Sequence, residues 1–474
     1  MNMLIGGREI AGEAAIDVQN PFDRSVIDTV PAATAEQVEL ALEVASRGAA
    51  VMERTTRFER AAILAKASAL IEERSERLAT LLASEVGKTI REARGEVSRA
   101  VQTFAVASEE ARRLSGEIVP FDGAPTGGDR FGFYLRVPVG VVVAITPFNF
   151  PLNLAAHKVA PALAAGNAVI LKPASVTPLT GIELVRVLYD AGLPEEAISV
   201  VTGSGSTVGD RLVSDPLPRM VTFTGSAEIG KAIVARAGLK KIAMELGSNS
   251  AVVVTDKCGP ASAVERTVRG AFALAGQVCI SVQRVLLQED IAERFLEGAV
   301  ALTRSLTVGD QLSEATDVGP MIDEEQAERA EAWVGEAVGA GARVVAGGGR
   351  KGTLFEPTVL VDPPEDTRIW KDEAFAPVMA VRTYGTLDEA IDAVNRSRYG
   401  LQAGIYTDDL DDALRAAHEI RCGGVMINDV PTFRVDLMPY GGEKESGLGR
   451  EGPKFAIEEM TEIRVVGVRR RVNS

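Results

Sequence analysis

Histidine and cysteine are scarce in this chain, and their scarcity excludes several kinds of catalytic site. The 474 residues include only two histidines and three cysteines. A Cys-His or Ser-His hydrolase would have to use His157 or His418, and neither lies in a recognisable motif. Because no Cys-x-x-Cys or His-Glu-x-x-His occurs, we expect no metal site. An odd number of widely spaced cysteines makes no disulfide framework, so we expect a cytoplasmic protein.

Basic surface and long apolar runs are also lacking. The formal net charge is −15, which disfavours nucleic acid and anionic membranes as partners. Pro138 and Gly140 interrupt one of the longest apolar runs, 137–145, so no run approaches the roughly 18 residues of a membrane span. Residues 1–10 show no basic segment followed by an apolar one, so we expect no secretory signal. The length predicts two or three domains.

Alternating strands and helices predict an α/β fold. Residues 34–115 follow a helical pattern, and a Gly/Pro-rich stretch at 116–128 ends it. Strands are then expected at 136–145, 168–171, 198–201, 220–224, 241–245 and 251–254, with helices between the earlier ones. This rhythm predicts a doubly wound parallel sheet with helices on both faces. From about residue 261 the alternation restarts, which indicates a second α/β domain.

Glycines stand at the start of two predicted helices, where backbone N–H groups and the helix dipole bind phosphate. The pattern GxGxxxG at 203–209 is one residue longer than the dinucleotide fingerprint. The pattern GxxxxGK at 225–231 is followed by Ala232, where a P-loop needs a hydroxyl for magnesium. Residues 86–89 have that hydroxyl but lack the first glycine. The two glycine-rich starts therefore favour a dinucleotide over a P-loop nucleotide site.

Cys279 is the candidate nucleophile. A thiolate is a strong nucleophile, and a carboxylate nearby, such as Glu245, can act as a general base. The glycine and small polar residues around Cys279 suit a reachable turn. The alternatives are that Cys279 is a small core residue, that Glu245 lies on the surface and that Asn149 only makes a turn.

Seven short segments follow one another along the chain in a characteristic order. They are TPFNFP at 146–151, LKPAS at 171–175, FTGS at 223–226, ELG at 245–247, GQVC at 276–279, EAFAPV at 373–378 and GGEKESGLGREG at 441–452. Each is modest evidence alone, but their common order makes chance similarity implausible. Together they resemble the aldehyde dehydrogenase superfamily over essentially the whole chain. Ser248 and the run QVCISVQR at 277–284 are similar to the lactaldehyde dehydrogenase branch.

The resemblance implies a covalent mechanism with three catalytic residues. Cys279 would attack the aldehyde carbon to give a thiohemiacetal, and a thioester would follow hydride transfer. The Asn149 amide and the Cys279 N–H would hold the oxyanion. Glu245 would activate water to release the acid. Acylating relatives that use coenzyme A typically lack the residue matched by Glu245, so its presence disfavours that alternative. A non-catalytic cofactor-binding protein is disfavoured by the intact set.

The cofactor implied by the resemblance is NAD or NADP. Lys172 matches a lysine that binds the adenosine ribose, and Glu373 matches a glutamate that binds the nicotinamide ribose. The other residues expected to contact it are Thr146, Pro147, Gly205, Gly225, Ser226, Leu246 and Phe375. Ser175 stands where NAD-dependent relatives often carry a glutamate, whose charge would repel a 2′-phosphate. We therefore expect NADP to be accepted.

The substrate is less sharply defined by the sequence. We expect a small hydroxylated or anionic aldehyde such as lactaldehyde, with Phe150 and Arg434 as candidate contacts. Arg434 could instead pair with Asp436 or Asp429. The alternatives are succinate semialdehyde and glyceraldehyde 3-phosphate; for the latter, Val278 replaces the arginine that some relatives carry.

The domain organisation follows from the resemblance. A dinucleotide-binding domain is expected at 1–120 and 138–244, with part of 430–455, and a catalytic domain at 245–429. The segments 121–137 and 456–474 resemble the oligomerisation arm of the family. We therefore expect a homodimer or homotetramer.

Overall fold

The computed structural model describes residues 1–12 and 14–470, and its first large sheet has eight strands. In spatial order they are Arg8–Ile10, Met3–Ile5, Ile198–Val200, Ala168–Lys172, Val141–Ile145, Met220–Thr224, Lys241–Glu245 and Gly447–Leu448. The strands from Ile198–Val200 to Lys241–Glu245 are parallel. After Val141–Ile145 the next strands are added on one side of it, and from Met220–Thr224 onwards they are added on the other side. Ligands bind at this switch point in such sheets.

Helices cover both faces of this sheet, as the sequence predicts. They are Asn153–Ala165, Leu179–Asp190, Asp210–Ser214 and Ala227–Ala237, together with the N-terminal helices Ala35–Arg54, Arg57–Glu73, Ser75–Val86 and Ile90–Arg113. Val142 and Ala144 pack into one hydrophobic cluster, whereas Val143 packs into the other. Because both faces of the strand are buried, its sequence is continuously apolar instead of alternating.

The predicted helical block at 34–115 is confirmed, as four helices. Thr34, Thr56 and Thr89 each cap a helix in a capping box, with the side chain accepting from the backbone N–H three residues on. Gly87, at φ 85°, ends the third helix in the left-handed conformation.

The predicted strand 136–145 is wrong in one respect, because it is two strands. Arg130–Pro138 leaves for a separate small sheet, and Val141–Ile145 enters the centre of the large one. Gly140, with φ 115°, lies at the break. A valine-rich run shows no change of pattern there, so the sequence does not reveal the change of sheet.

The second large sheet has seven strands. In spatial order they are Arg343–Ala346, Thr358–Val361, Val378–Tyr384, Arg284–Gln288, Ala251–Val254, Gln402–Tyr406 and Gly424–Ile427. Its helices are Pro260–Phe272, Glu289–Ser305, Glu324–Gly339, Arg368–Lys371, Leu387–Asn395 and Leu410–Glu419. The expected second α/β unit is confirmed, and Ala251–Val254 belongs to it.

A three-stranded antiparallel sheet, here named the arm sheet, joins Thr461–Arg469, Arg130–Pro138 and Ile118–Val119. The helix Pro453–Glu459 precedes its last strand. Short two-stranded sheets pair Ala14–Gln19 with Val26–Ala32, Arg350–Lys351 with Leu354–Phe355, and Tyr399–Gly400 with Glu443–Lys444. The end of the predicted arm, 471–474, lies outside the described residues. Across 1–12 and 14–470 no helix is both long and apolar enough to cross a membrane.

Candidate active site

A cavity of about 970 Å³ lies at the switch point of the first sheet and extends towards the second sheet. Eleven of the fifteen predicted site residues line it: Thr146, Pro147, Asn149, Lys172, Gly205, Gly225, Ser226, Leu246, Cys279, Glu373 and Phe375. Five of them lie one or two residues after a strand of the first sheet and Lys172 ends one, so the strand ends bring these six together. Glu245, Ser175, Phe150 and Arg434 are not in its lining.

The helix Ala227–Ala237 begins at the cavity wall. The Ser226 hydroxyl accepts from the backbone N–H of Ile229 at 3.4 Å, and Gly225 packs so closely that a Cβ there would overlap the Phe223 ring. The positive end of this helix faces the cavity, where an anionic group is favoured. The segment Gly205–Gly209 differs from the expected helix start, because it is a π-helical turn before the short helix Asp210–Ser214.

Lys172 lies at the same end of the cavity and is buried. Burial lowers the pKa of its ammonium group to about 8. Ser175 is turned away, since its hydroxyl donates to the carbonyl of Gly203 at 2.8 Å. Thr146 Oγ1 and Thr224 Oγ1 are buried and have no hydrogen-bond partner within the described part of the chain.

Glu373 is fixed on the opposite wall. The backbone N–H of Ser248 donates to its Oε1 at 2.9 Å, and a Cβ at Gly247 would overlap the carboxylate. Burial raises the pKa of Glu373 to about 7. The Phe375 ring meets the Phe148 ring edge-on, with centroids 5.8 Å apart. The contact of Ser248 with Glu373 is made by the backbone and does not use the serine side chain.

The turn that presents Cys279 is strained. Leu274 and Ala275 both have φ 50°, and Gly276 has φ 69°. A non-glycine residue held in the left-handed region costs about 1–3 kcal/mol. Glu92 supports the turn, because its Oε1 accepts from the backbone N–H of Leu274 at 2.7 Å. A Cβ at Gly276 would overlap the carbonyl of Ala376.

Cys279 lies in a partly exposed loop, as its sequence context predicts. Burial of the sulfur raises the pKa of the thiol to about 11, while Tyr440 and Arg434 act in the opposite direction. The Tyr440 hydroxyl lies 3.0 Å from Sγ. The group is therefore a thiol at neutral pH and needs a base to ionise it.

Asn149 is buried beside the cysteine loop. Its Nδ2 donates to the carbonyl of Gln277 at 2.9 Å, and an amide nitrogen carries a second N–H for another acceptor. The backbone carbonyl of Asn149 accepts from Lys88 Nζ at 2.7 Å. Lys88 also forms a fully buried ion pair with Glu96. Lys88 Nζ also lies 4.0 Å from the centre of the Phe150 ring. Asn149 thus belongs to a fixed polar network.

Glu245 is 4% exposed and is not a surface residue. Burial, reinforced by the charge of Glu451, raises the pKa of Glu245 well above its ordinary value. Its Oε2 has no hydrogen-bond partner among residues 1–12 and 14–470. A Cβ at Gly441 would lie 2.6 Å from the carbonyl oxygen of Gly449 and 3.0 Å from Glu245 Oε1, so a glycine fits this position best. Burial, and then the charges of Glu373 and Glu245, raise the pKa of Cys279.

A buried chain of charges behind Glu245 was not predicted. Arg434 and Lys158 each form an ion pair with Glu451, at 2.9 Å in both cases. Although burial opposes it, Lys158 and Arg434 hold the pKa of Glu451 well below its ordinary value. The signal in the sequence was Lys158 itself, a lysine in the otherwise apolar helix Asn153–Ala165.

The expected pairing of Arg434 with Asp436 or Asp429 is wrong. Asp429 pairs with Arg266 at 2.7 Å, and Asp436 pairs with Arg99 at 2.8 Å. Asp436 also lies 2.8 Å from Nε2 of the buried His157. Both aspartates are therefore occupied, and Arg434 turns to Glu451 and stacks 3.7 Å above the Tyr440 ring.

Comparison with known proteins gives one consistent family. The model of the "Aldehyde dehydrogenase family" matches residues 9–466. The 3-sulfolactaldehyde dehydrogenase of Priestia aryabhattai is 46% identical over 95% of this chain and 94% of its own length. The lactaldehyde dehydrogenase of Methanocaldococcus jannaschii is 42% identical over 98% of this chain and 99% of its own. The crystal structure of the glyceraldehyde-3-phosphate dehydrogenase GapN from Methanocaldococcus jannaschii, complexed with NADP, has a TM-score of 0.93 and 41% identity, covering 96% of this chain and 99% of that one.

Proposed function

The chain belongs to the aldehyde dehydrogenase family, and we propose that it oxidises short 2-hydroxy or anionic aldehydes through a covalent adduct on Cys279. It is an NAD(P)-dependent enzyme. The observation that carries the proposal is the position of Cys279. This residue lines the cavity that collects the predicted cofactor residues, and its sulfur also contacts Tyr440, which stacks against Arg434.

The residues of the cavity fit a nicotinamide dinucleotide. The helix start at Ser226 suits the pyrophosphate, and the unpartnered hydroxyl of Thr146 needs a ligand group. Lys172 and Glu373 would hold the two riboses, and Phe375 would pack on the nicotinamide side. When bound, the nicotinamide supplies the hydride acceptor.

The first step is activation of the thiol. The Glu245 carboxylate takes the proton of Cys279, and its raised pKa makes it a stronger base than an ordinary carboxylate. The sulfur electron pair then forms a bond to the aldehyde carbon, and the C=O electron pair moves to oxygen. The free N–H of the Asn149 amide and the Cys279 N–H donate to this oxyanion; one such donor is worth about 3–4 kcal/mol.

The second step releases the acid. After the hydride has left, the carbonyl re-forms as a thioester on Cys279. Glu245, having lost its proton to solvent, takes a proton from water, and the water oxygen attacks the thioester carbon. The C–S bond breaks and the carboxylic acid leaves. A buried carboxylate such as Glu245, whose Oε2 has no hydrogen-bond partner among the described residues, suits both proton transfers.

Two buried side chains support the substrate class. The Arg434 guanidinium is a donor, and the His157 ring is an acceptor at Nδ1, because its Nε2–H donates to Asp436. Arg434 Nε and His157 Nδ1 have no hydrogen-bond partner in the described structure. The two side chains are close enough to interact, since burial and then the charge of Arg434 lower the pKa of His157. Lactaldehyde, 3-sulfolactaldehyde and glyceraldehyde 3-phosphate, named for the three relatives, share a hydroxyl next to the aldehyde. Two of them also carry an anion, which a guanidinium binds well.

The arm sheet is proposed to mediate oligomerisation. Ile463 and Val465 on its last strand are 57% and 60% exposed, and Phe131 on the neighbouring strand is 48% exposed. A row of exposed apolar residues on an edge strand suits pairing with a second copy of the chain. Light scattering of Val465→Lys should show smaller particles than the unaltered protein, and an unchanged mass would contradict this assignment.

The test of the proposed function is a panel of short aldehydes assayed by NAD(P)H absorbance. We expect kcat/KM to be at least about tenfold higher for 2-hydroxy or anionic aldehydes than for propanal or benzaldehyde. Cys279→Ala should abolish NAD(P)H formation, whereas Cys258→Ala, at another partly buried cysteine, should not. Wild-type rates in Cys279→Ala, or coenzyme A thioesters as products, would refute the proposal.

A further inference from the structure

Tyr440 is the polar side chain in direct contact with the candidate nucleophile, and sequence reasoning did not single it out. Its hydroxyl oxygen lies 3.0 Å from Cys279 Sγ, and the residue is 2% exposed. It directly precedes the glycine-rich segment 441–452. The contact joins residues 161 positions apart, which is why no local pattern reveals it.

The Tyr440 side chain is held rigidly in this position. Its backbone N–H donates to the carbonyl of Glu451 at 3.1 Å, and its own carbonyl accepts from the Glu451 N–H at 2.6 Å. The guanidinium of Arg434 stacks on the ring at 3.7 Å, and the side chain packs in one apolar cluster with Ile280 and Leu401. The hydroxyl therefore stays aimed at the sulfur.

The direction of the hydrogen bond follows from the chemistry of the two groups. A tyrosine hydroxyl donates one hydrogen, and a thiolate is a much better acceptor than a neutral thiol. Burial, then the neighbouring sulfur, raises the pKa of Tyr440 well above its ordinary value, so the hydroxyl keeps its proton. The same hydrogen bond lowers the pKa of Cys279, against the effect of burial.

We propose that Tyr440 is a further catalytic residue, whose hydroxyl donates a hydrogen bond to the Cys279 sulfur whenever that sulfur carries negative charge. This inference rests on the proposed function. The thiol proton goes to Glu245 and the tyrosine proton is not transferred. The hydrogen bond stabilises the thiolate before the C–S bond forms, and again when the thiolate leaves the thioester. Arg434 acts through Tyr440 as a positioning residue, in addition to its proposed contact with substrate.

The test uses Tyr440→Phe, which keeps the ring and the stacked guanidinium and removes only the O–H. The rate of Cys279 alkylation by iodoacetamide is measured against pH, without cofactor or substrate, by mass spectrometry of the Cys279 peptide. We expect the apparent pKa of Cys279 to rise and its alkylation rate at pH 8 to fall about tenfold. We also expect kcat to fall about tenfold, with KM for the aldehyde unchanged. Thermal unfolding confirms that the variant is folded.

Tyr406→Phe is the matched control, because it removes another buried tyrosine hydroxyl, on a strand of the second sheet. It should leave the alkylation profile and kcat unchanged. An unchanged alkylation profile in Tyr440→Phe would overturn the inference, even if kcat fell, because a structural role alone would then account for the loss. The proposed function would survive that result as long as Cys279→Ala is inactive.

Discussion

The two sides of Cys279 are built in different ways. On the proposed cofactor side, the cavity wall consists of strand ends, helix starts and backbone N–H groups, together with charged side chains such as Lys172, Arg329 and Glu373. On the other side, Arg434, Glu451 and Lys158 form a buried chain of ion pairs, all at most 7% exposed. The first arrangement depends on local sequence and the second on contacts between distant segments. The cavity is therefore open to a large ligand, whereas the buried ion pairs hold their side chains rigidly in one arrangement.

Breaking the charge chain should have the largest effect. Glu451→Gln removes the carboxylate shared by Lys158 and Arg434 and leaves two buried cations without a counter-charge. We expect the free energy of unfolding to fall by about 3–5 kcal/mol, measured as lower thermal and urea midpoints. Glu445→Gln is the control in the same segment, since its pairs with Lys231 and Arg398 are partly exposed and worth at most about 1 kcal/mol.

The ion pairs of Glu451 also predict how the free energy of unfolding changes with pH. The pKa of Glu451 is held below its ordinary value of 4.5, so its stabilising contribution is present above about pH 4.5 and is lost as the pH falls further. The loss of stability of the wild-type protein below this pH should therefore be smaller in Glu451→Gln. An equal slope in both proteins would show that Glu451 is not paired in solution.

Changing the strained turn, which lies between the two sides, tests whether this turn positions the Cys279 sulfur for catalysis. Gly276→Ala places a Cβ against the Ala376 carbonyl at φ 69°, so the cysteine loop must shift. A displacement of about 1 Å costs about a hundredfold in kcat. Gly335→Ala is the control, because a Cβ at Gly335, in the helix Glu324–Gly339, meets no atom within 4 Å. If both variants keep wild-type kcat, the turn does not position the sulfur.

The smallest expected effect is on the cofactor side. Ser175→Glu introduces a carboxylate near Lys172, where it would repel the 2′-phosphate of NADP. We expect the ratio of kcat/KM for NADP to that for NAD to fall about tenfold, or 1.4 kcal/mol. Ser206→Glu, at the cavity lining after Gly205, offers a charge control of the same sign. A ratio that falls equally in both variants would mean that general charge, not Ser175, governs the cofactor preference.

Much of the proposed cofactor side could be predicted from sequence because Thr146, Gly225 and Leu246 directly follow recognisable strands and Lys172 ends one. The ends of parallel strands meet at one edge, so knowing that Thr146, Lys172 and Gly225 lie at strand ends already brings them together. The strands themselves were recognisable from apolar runs, except at Gly140, where one run serves two sheets.

The ion pairs of Arg434, Glu451 and Lys158 could not be predicted, because tertiary contacts decide which charged groups pair. Arg434 had three carboxylates near it in sequence, Asp429, Asp436 and Glu451, and nothing local shows which one is already occupied by another arginine. Lys158 and Glu451 are 293 positions apart. The sequence indicates such an ion pair only through one charged residue, Lys158, in a mostly apolar helix.

The most direct test of the central account is the fate of the substrate in Glu245→Gln. The amide cannot activate water, so the acyl group should remain on Cys279 after hydride transfer. Because the amide also cannot take the thiol proton, the acyl group should form slowly, and faster as the pH is raised towards the pKa of Cys279. We expect a burst of about one NAD(P)H per subunit and a matching mass increase on the Cys279 peptide. Steady NAD(P)H formation at the wild-type rate, or a burst with no adduct on Cys279, would contradict the account.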